Sequence, residues 1–269
     1  MRITHPLGLS IAGSLLAGLL LGPAAHAQKV PNIDGAAFAN AQGQIYAPAR
    51  ALGKWLSIPV RWDTKSDVLY LGQKKISAAS RRALFGGQQL VAVGALKHLG
   101  DGTKVQWDAK SNTALITRGQ KAARVRVGAQ KVIVNRKEQE MRAYQGNLLV
   151  LKTAVSTGRP GKGTPKGHFI AGPLKTPMLI SHIYNDAKMP WSVQLDGDIV
   201  VHGFTSIPDY AASHGCVRVP LTNGNPAKWF YDWVNVGTPI IVADSWKDAP
   251  GATPKPQNIA RAQAKGKAA

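Results

Sequence analysis

Two stretches of this chain repeat each other. Trp62-Asp63 returns as Trp107-Asp108 and Ser66 as Ser111, each 45 positions on, while Leu52 returns as Leu96, 44 positions on. Around these anchors Ile45–Leu52 leads into Val60–Leu71, and Leu90–Leu96 leads into Val105–Ile116. A repeat this short does not bury its own apolar face, so the two copies must pack against each other as one small duplicated unit. Each copy reads as a short strand, a short helix and a hairpin. The helices are expected over 47–56 and 91–99, where apolar residues fall at helical spacing. The hairpins turn at Thr64-Lys-Ser-Asp67 and Ala109-Lys-Ser-Asn112, turn-forming residues between β-rich runs. The repeated Trp62 and Trp107 are expected in the core.

From Ala122 the texture changes. Val125, Val127, Val132–Val134, Leu148–Leu151 and Val155 fall in short β-like runs, and Gly and Pro punctuate 157–167. One helix is expected from Asn225, with Pro226 in its first turn and Ala227, Phe230, Tyr231 and Val234 on its apolar face. Gly237-Thr-Pro239 ends it, and Ile240–Val242 reads as a last strand. The chain therefore divides into a duplicated α+β unit over 28–118, a mainly β unit over 122–244 and a Pro-, Ala- and Lys-rich tail over 245–269, expected to be disordered.

The first 27 residues read as a secretory leader: Arg2, an apolar run from Leu7 to Leu21, and small residues around Ala25 and Ala27. The run is short for a membrane span, although an uncleaved anchor is the alternative. Export is the expectation, to a periplasm or cell wall. The chain carries 34 Lys and Arg against 14 Asp and Glu, a net charge of +20. Such a field suits anionic surroundings, a wall polymer or a membrane surface, or serves solubility alone. Nucleic acid is disfavoured, since no basic helix or aromatic-and-basic strand motif is present. There is one cysteine, Cys216. An exported chain with one cysteine has no internal disulfide, and a lone thiol in an oxidising compartment is a liability unless it is buried or has work to do.

Its neighbours favour work. Ile199-Val-Val-His202-Gly203 is followed, after a loop, by Ser213-His214-Gly215-Cys216-Val217-Arg218-Val219. A thiol attacks at neutral pH when a base takes its proton, and imidazole is the natural base. His202 stands at the mouth of a strand, 14 residues before Cys216. His214 is close enough to orient the loop, and the N–H groups of Gly215 and Cys216 are candidate oxyanion donors. An inert buried thiol and a zinc site of His202, His214 and Cys216 are the competing readings; the latter lacks a fourth ligand. His168 and His182 read as surface histidines. Arg159, Lys162 and Lys166 either steer an anionic substrate or are merely solvated.

The string Ser213–Arg218, preceded by His202-Gly203, resembles the YkuD-type L,D-transpeptidase signature. Val155–Gly158, Gly163–Phe169 and Met189-Pro-Trp191 extend the resemblance over about 120 residues. It implies a β-rich, sandwich-like domain, Cys216 as nucleophile and His202 as general acid/base. Ser213, His214 and Gly215 would support the site, while Tyr184, Gly203 and Arg218 would contact substrate. No metal or organic cofactor is implied. The implied partners are peptidoglycan stem peptides, with carbapenem-type inhibitors as acylating agents. The thioester formed on the third stem residue would pass to an amine, giving a 3→3 cross-link or an anchored protein; with water as acceptor the protein would be a carboxypeptidase or hydrolase. A non-catalytic wall-binding protein is the third reading. The duplicated unit, over roughly 30–118, resembles the copper amine oxidase N-terminal-like domain. Only His98 there is a good metal ligand, so copper binding is not expected.

Overall fold

The computed structural model describes residues 30–248. The expected leader lies outside the described residues, as does the tail beyond Asp248. The first unit runs β1 (Asn32–Asp34), β2 (Tyr46–Pro48), α1 (Ala49–Leu56), β3 (Val60–Asp63), β4 (Val68–Leu71), β5 (Lys74–Ile76), β6 (Arg81–Ala83), β7 (Gln89–Ala92), a 3-10 turn (Val93–His98), β8 (Lys104–Asp108), β9 (Thr113–Arg118) and β10 (Lys121–Arg126). The duplication is legible in its turns. Asp63 Oδ1 accepts the N–H groups of Lys65 and Ser66, and Asp108 Oδ1 accepts those of Lys110 and Ser111. Asp67 and Asn112 both close their turns in the left-handed region, at φ 53° and 50°. These are the residue types that tolerate that conformation and bond their own backbone.

The copies join by pairing β2 with β7, antiparallel. Their apolar faces, with Leu52, Leu56, Leu69, Leu96 and Ile116, meet in one core. The second copy departs from the first: its helix is a single 3-10 stretch of six residues, preceded by strand rather than helix at 91–92. Trp107 is not core. It stands 51% exposed on β8, an edge strand with no neighbour on its outer side. Trp62 is half-buried under the guanidinium of Arg81, 4.9 Å from the ring centre. The sequence reading opened the second unit at residue 122. Strand β10 instead pairs with β9 and β1 and buries Ala123 and Val125 in the first core, so 121–126 close the first sheet.

The second unit is mainly β. It runs β11 (Gln130–Asn135), β12 (Glu140–Gln145), β13 (Leu148–Ala154), β14 (Gly167–Ile170), β15 (Lys175–Ser181), β16 (Ala187–Asp196), β17 (Ile199–Phe204), β18 (Val217–Pro220), α2 (Pro226–Trp233) and β19 (Pro239–Ala243). One sheet has the order β13-β12-β11-β19-β14 and the other β15-β16-β17-β18. Alternating apolar residues of both sheets meet in a shared core with α2. Asn225 caps α2, its Oδ1 accepting the Lys228 N–H at 2.9 Å. The helix buries Ala227, Phe230 and Trp233, with Val234 buried just beyond it; Tyr231 is only half-buried. Trp246 begins a short 3-10 turn where the sequence suggested a structureless tail. Arg142 stacks on its ring at 3.7 Å. Among the described residues no helix is long and apolar enough to cross a membrane.

The two units share a core. Phe38, Tyr46, Leu84, Leu90 and Ala92 of the first pack with Phe230 and Trp233 of the second. Trp229 Nε1 donates to Ala83 O at 2.9 Å, and Phe85 N donates to Val150 O at 3.0 Å. Gln145 Oε1 accepts from both Ala37 N and Trp233 Nε1. A joint built of buried aromatics and satisfied hydrogen bonds holds the second unit on a fixed base, and α2 packs in turn on β16, β17 and β18.

Candidate active site

Parallel strands β17 and β18 place the two key residues. Val201 pairs with Val217 and His202 with Arg218. With the period of two along a strand, Cys216 and Arg218 share a face, and His202 lies on that same face of the neighbouring strand. Cys216 is 5% exposed and His202 4% exposed. Both line a cavity of about 400 Å³, together with Tyr184, Met189, Phe204, Ser213, His214 and Arg218. The loop between the strands thus brings the two residues to one cavity.

His202 Nδ1 lies 2.9 Å from the carbonyl oxygen of Gly203. A carbonyl only accepts, so Nδ1 carries the ring proton and Nε2 keeps its lone pair. Burial pushes the imidazole down to about 4, against the Gly203 bond that favours its charged form, and the Arg218 guanidinium pushes it the same way as burial. Burial pushes the Cys216 thiol up, against the Val200 backbone and Arg218, which favour the thiolate. The sulfur packs with Met189 and Val200, and Leu179, Tyr184 and Ala187 close around them. Both shifts favour the uncharged form, so at neutral pH the cavity holds a thiol and a neutral imidazole rather than their ions.

A strap over 155–164 holds the loop that carries the sulfur. Ser156 and Arg218 exchange both backbone hydrogen bonds, and Ser213 N donates to Thr157 O while Arg159 N donates to Ser213 O. Ser213 Oγ donates to Cys216 O at 2.6 Å and accepts the Gly215 N–H at 3.1 Å. Gly215 has φ +126°, where only glycine sits without strain.

Each residue singled out by sequence can now be placed. Cys216, His202, Ser213, His214, Tyr184 and Arg218 come together around the cavity. Gly215 does not line it, and its N–H is engaged by Ser213, so of the two suggested oxyanion donors it is not available as placed. Gly203 does not contact the cavity either: a Cβ there would stand 2.4 Å from Leu221, so its requirement is for packing, and its carbonyl serves His202. His214 is exposed and its Nε2 meets Arg159 Nη2 at 2.9 Å. Tyr184 reaches the His214 carbonyl through its hydroxyl at 3.4 Å. Arg218 stacks on Phe204 at 4.2 Å and has no carboxylate partner among the described residues. His182 pairs with Asp186, and Lys166 with Asp244, and none of the four lines the cavity. Sequence reasoning missed Phe204 and Thr164. The first is two residues from His202 and so shares its face; the second carries no pattern of its own inside a Gly/Pro segment.

Residues 129–242 match the family model for the L,D-transpeptidase catalytic domain, and residues 73–146 match that for the copper amine oxidase N-terminal domain. Among solved structures, the chain is similar to an L,D-transpeptidase from Mycobacterium smegmatis, at 17% identity, covering 79% of this chain and 94% of that one, with TM-score 0.40. It is also similar to an L,D-transpeptidase from Stackebrandtia nassauensis, at 21% identity over 42% of this chain and 55% of that one, with TM-score 0.39. A third is L,D-transpeptidase 3 from Mycobacterium tuberculosis in complex with a faropenem-derived adduct, at 13% identity, covering 80% and 94%, with TM-score 0.38. The chain spans about half the length of the Stackebrandtia structure. No curated protein matches it. The second unit thus matches the family model for the L,D-transpeptidase catalytic domain over 129–242.

Proposed function

We propose, from that domain, that the protein is an exported cysteine acyltransferase that acts on peptidoglycan stem peptides as an L,D-transpeptidase. The observation that carries the proposal is the presence, in one cavity, of a sulfur and an imidazole whose Nδ1 is tied down and whose Nε2 keeps its lone pair. The donor is a tetrapeptide stem. Cys216 Sγ attacks the carbonyl of the third stem residue as its proton passes to His202 Nε2. The S–C bond forms, the C–N bond to the terminal D-Ala breaks, and the imidazolium returns its proton to the departing amine. In the second half His202 takes a proton from the incoming amine, which attacks the thioester and releases the thiol. Because both groups rest uncharged, the proton moves only when a carbonyl is present to receive the sulfur. Arg218, like Lys188, is a cation lining the cavity without a carboxylate partner among the described residues, which suits a stem carboxylate.

The test is D-Ala release from a disaccharide-tetrapeptide, followed by mass spectrometry, with wild-type protein and Cys216→Ala. Release by the wild type alone is expected. Release by the variant removes Cys216 from the reaction. A carbapenem is expected to add its intact mass to the wild type and not to the variant. The ratio of cross-linked dimer to free tripeptide reads the acceptor, amine or water.

A further inference from the structure

Thr164 sits outside the cavity, is 1% exposed, and bonds to the backbone of the sulfur-bearing loop. Its hydroxyl accepts the Gly158 N–H at 2.9 Å and donates to the Gly215 carbonyl at 2.6 Å. Its own carbonyl accepts from Arg136 Nη1 at 2.6 Å. Arg136 follows β11 and pairs with Asp244, which follows β19, at 2.7 Å; Lys166 adds a second cation to Asp244 at 2.9 Å. Thr164 therefore joins, through its carbonyl and its hydroxyl together, the ends of two strands in one sheet to the peptide between Gly215 and Cys216 beside the other. Gly158 makes the approach feasible: a Cβ there would stand 2.1 Å from Lys162 O and 2.5 Å from Thr164 N.

The peptide that Thr164 grips precedes the nucleophile. No cis peptide is present among the described residues, so this one is trans and planar, with its carbonyl and its N–H pointing in opposite directions. Fixing the Gly215 oxygen on Thr164 fixes the direction of the Cys216 N–H. Gly215 at φ +126° lacks the Cβ that would bias this plane, so the hydroxyl is what selects its orientation. With the Gly215 N–H already held by Ser213, the Cys216 N–H is the one left of the two candidate oxyanion donors. We propose that Thr164, buttressed by Arg136, is a positioning residue that turns the Cys216 N–H toward the oxyanion formed when the sulfur attacks. The inference rests on the proposed acyl transfer and adds to it a residue that touches neither substrate nor sulfur.

The test separates steps that build an oxyanion from one that does not. Thiol alkylation by iodoacetamide uses the same sulfur but attacks a saturated carbon, with no oxyanion. In Thr164→Val, kcat for D-Ala release is expected to fall about 10- to 100-fold, KM to stay within about twofold, and the alkylation rate of Cys216 to stay within about twofold of wild type. Thr164→Ser, which restores the hydroxyl, is expected to recover most of the kcat. Should Thr164→Val fail to fold, Arg136→Gln keeps the hydroxyl but loosens its support, and the same split is expected at smaller amplitude. Full kcat in Thr164→Val overturns the proposal. So does a parallel loss of acyl transfer and alkylation, which would make Thr164 a mere brace for the loop. A wild-type protein that alkylates at Cys216 but never releases D-Ala fails the acyl-transfer reading itself.

Discussion

Acid should weaken this fold through one buried ring. His202 is 4% exposed and its imidazole is held down to about 4, whereas in an unfolded chain it titrates near 6.5. Above about pH 6.5 the ring is neutral in both states and the difference contributes nothing adverse. As pH falls, the unfolded chain takes up the proton first, so stability is lost progressively down to about pH 4 and no further below it. At about 1.4 kcal/mol per unit, 2.5 units correspond to about 3 kcal/mol. With a urea slope of about 3 kcal/mol/M, the midpoint should drop by about 1 M. The assay is urea unfolding followed by tryptophan fluorescence at pH 7, 6, 5 and 4, in wild type and in His202→Gln. Carboxylates held low by their partners, such as Asp101 and Asp244, titrate in both proteins and cancel in the difference. The wild-type-minus-variant curve should be flat above pH 7 and fall by about 3 kcal/mol by pH 4. A difference that stays within about 0.5 kcal/mol over that range would mean the ring charges freely in the folded protein, and the neutral-pair mechanism would go with it.

Other expectations concern the same machinery. D-Ala release should keep its rate down to roughly pH 5, because the base stays neutral there; an acid limb centred near 6.5 would contradict the buried neutral imidazole. Arg218→Gln removes a cation that pushes both His202 and Cys216 down, so both limbs of the kcat/KM profile should move to higher pH, and KM for the donor should rise about tenfold; an unmoved profile and KM would leave Arg218 without a role. Gly215→Ala meets no atom closer than 3.7 Å, so its cost is the φ of +126° alone; about 1–2 kcal/mol of stability and most of the activity should be lost, measured by denaturation and D-Ala release. Trp233→Ala should cost about 3–5 kcal/mol, since the fully buried ring joins the two units, while Trp107→Ala should stay within about 0.5 kcal/mol; equal losses would refute the shared core.

How much of this was legible beforehand follows the range of the forces involved. The hairpins at Asp63 and Asp108 were readable because an Asx side chain bonding its own backbone is a local event. The cap at Asn225 is local too. The candidate nucleophile and base stood out because glycines and imidazoles around a lone thiol have few other uses. What escaped was set at long range. Nothing within the repeat shows that β8 would end on an edge and leave Trp107 in water while Trp62 lies under Arg81. The shared core needed Phe38 and Trp229 to meet across 191 positions. Thr164 and Gly215 are 51 positions apart, and a threonine in a glycine-rich stretch gives no periodic signal.

The lone thiol posed a problem that the site's polarity resolves. A thiolate is what oxidants attack, and a thiolate–imidazolium pair at rest would expose the proposed exported enzyme to them continuously. Burial against Met189 and Val200 keeps the sulfur protonated, and burial likewise keeps the imidazole neutral, with a lone pair free to take a proton. Protection and readiness thus come from one cause. The cost falls on the transition state, where an imidazolium and an oxyanion must appear in an apolar pocket. That cost is offset only if the pocket brings its own dipoles, already oriented, to the place where charge develops. The Nδ1 bond to Gly203 stabilises the cation, and the peptide held by Thr164 is the one available for the anion. A neutral resting pair and a rigidly aimed loop are therefore two halves of one design: the first is workable only because of the second.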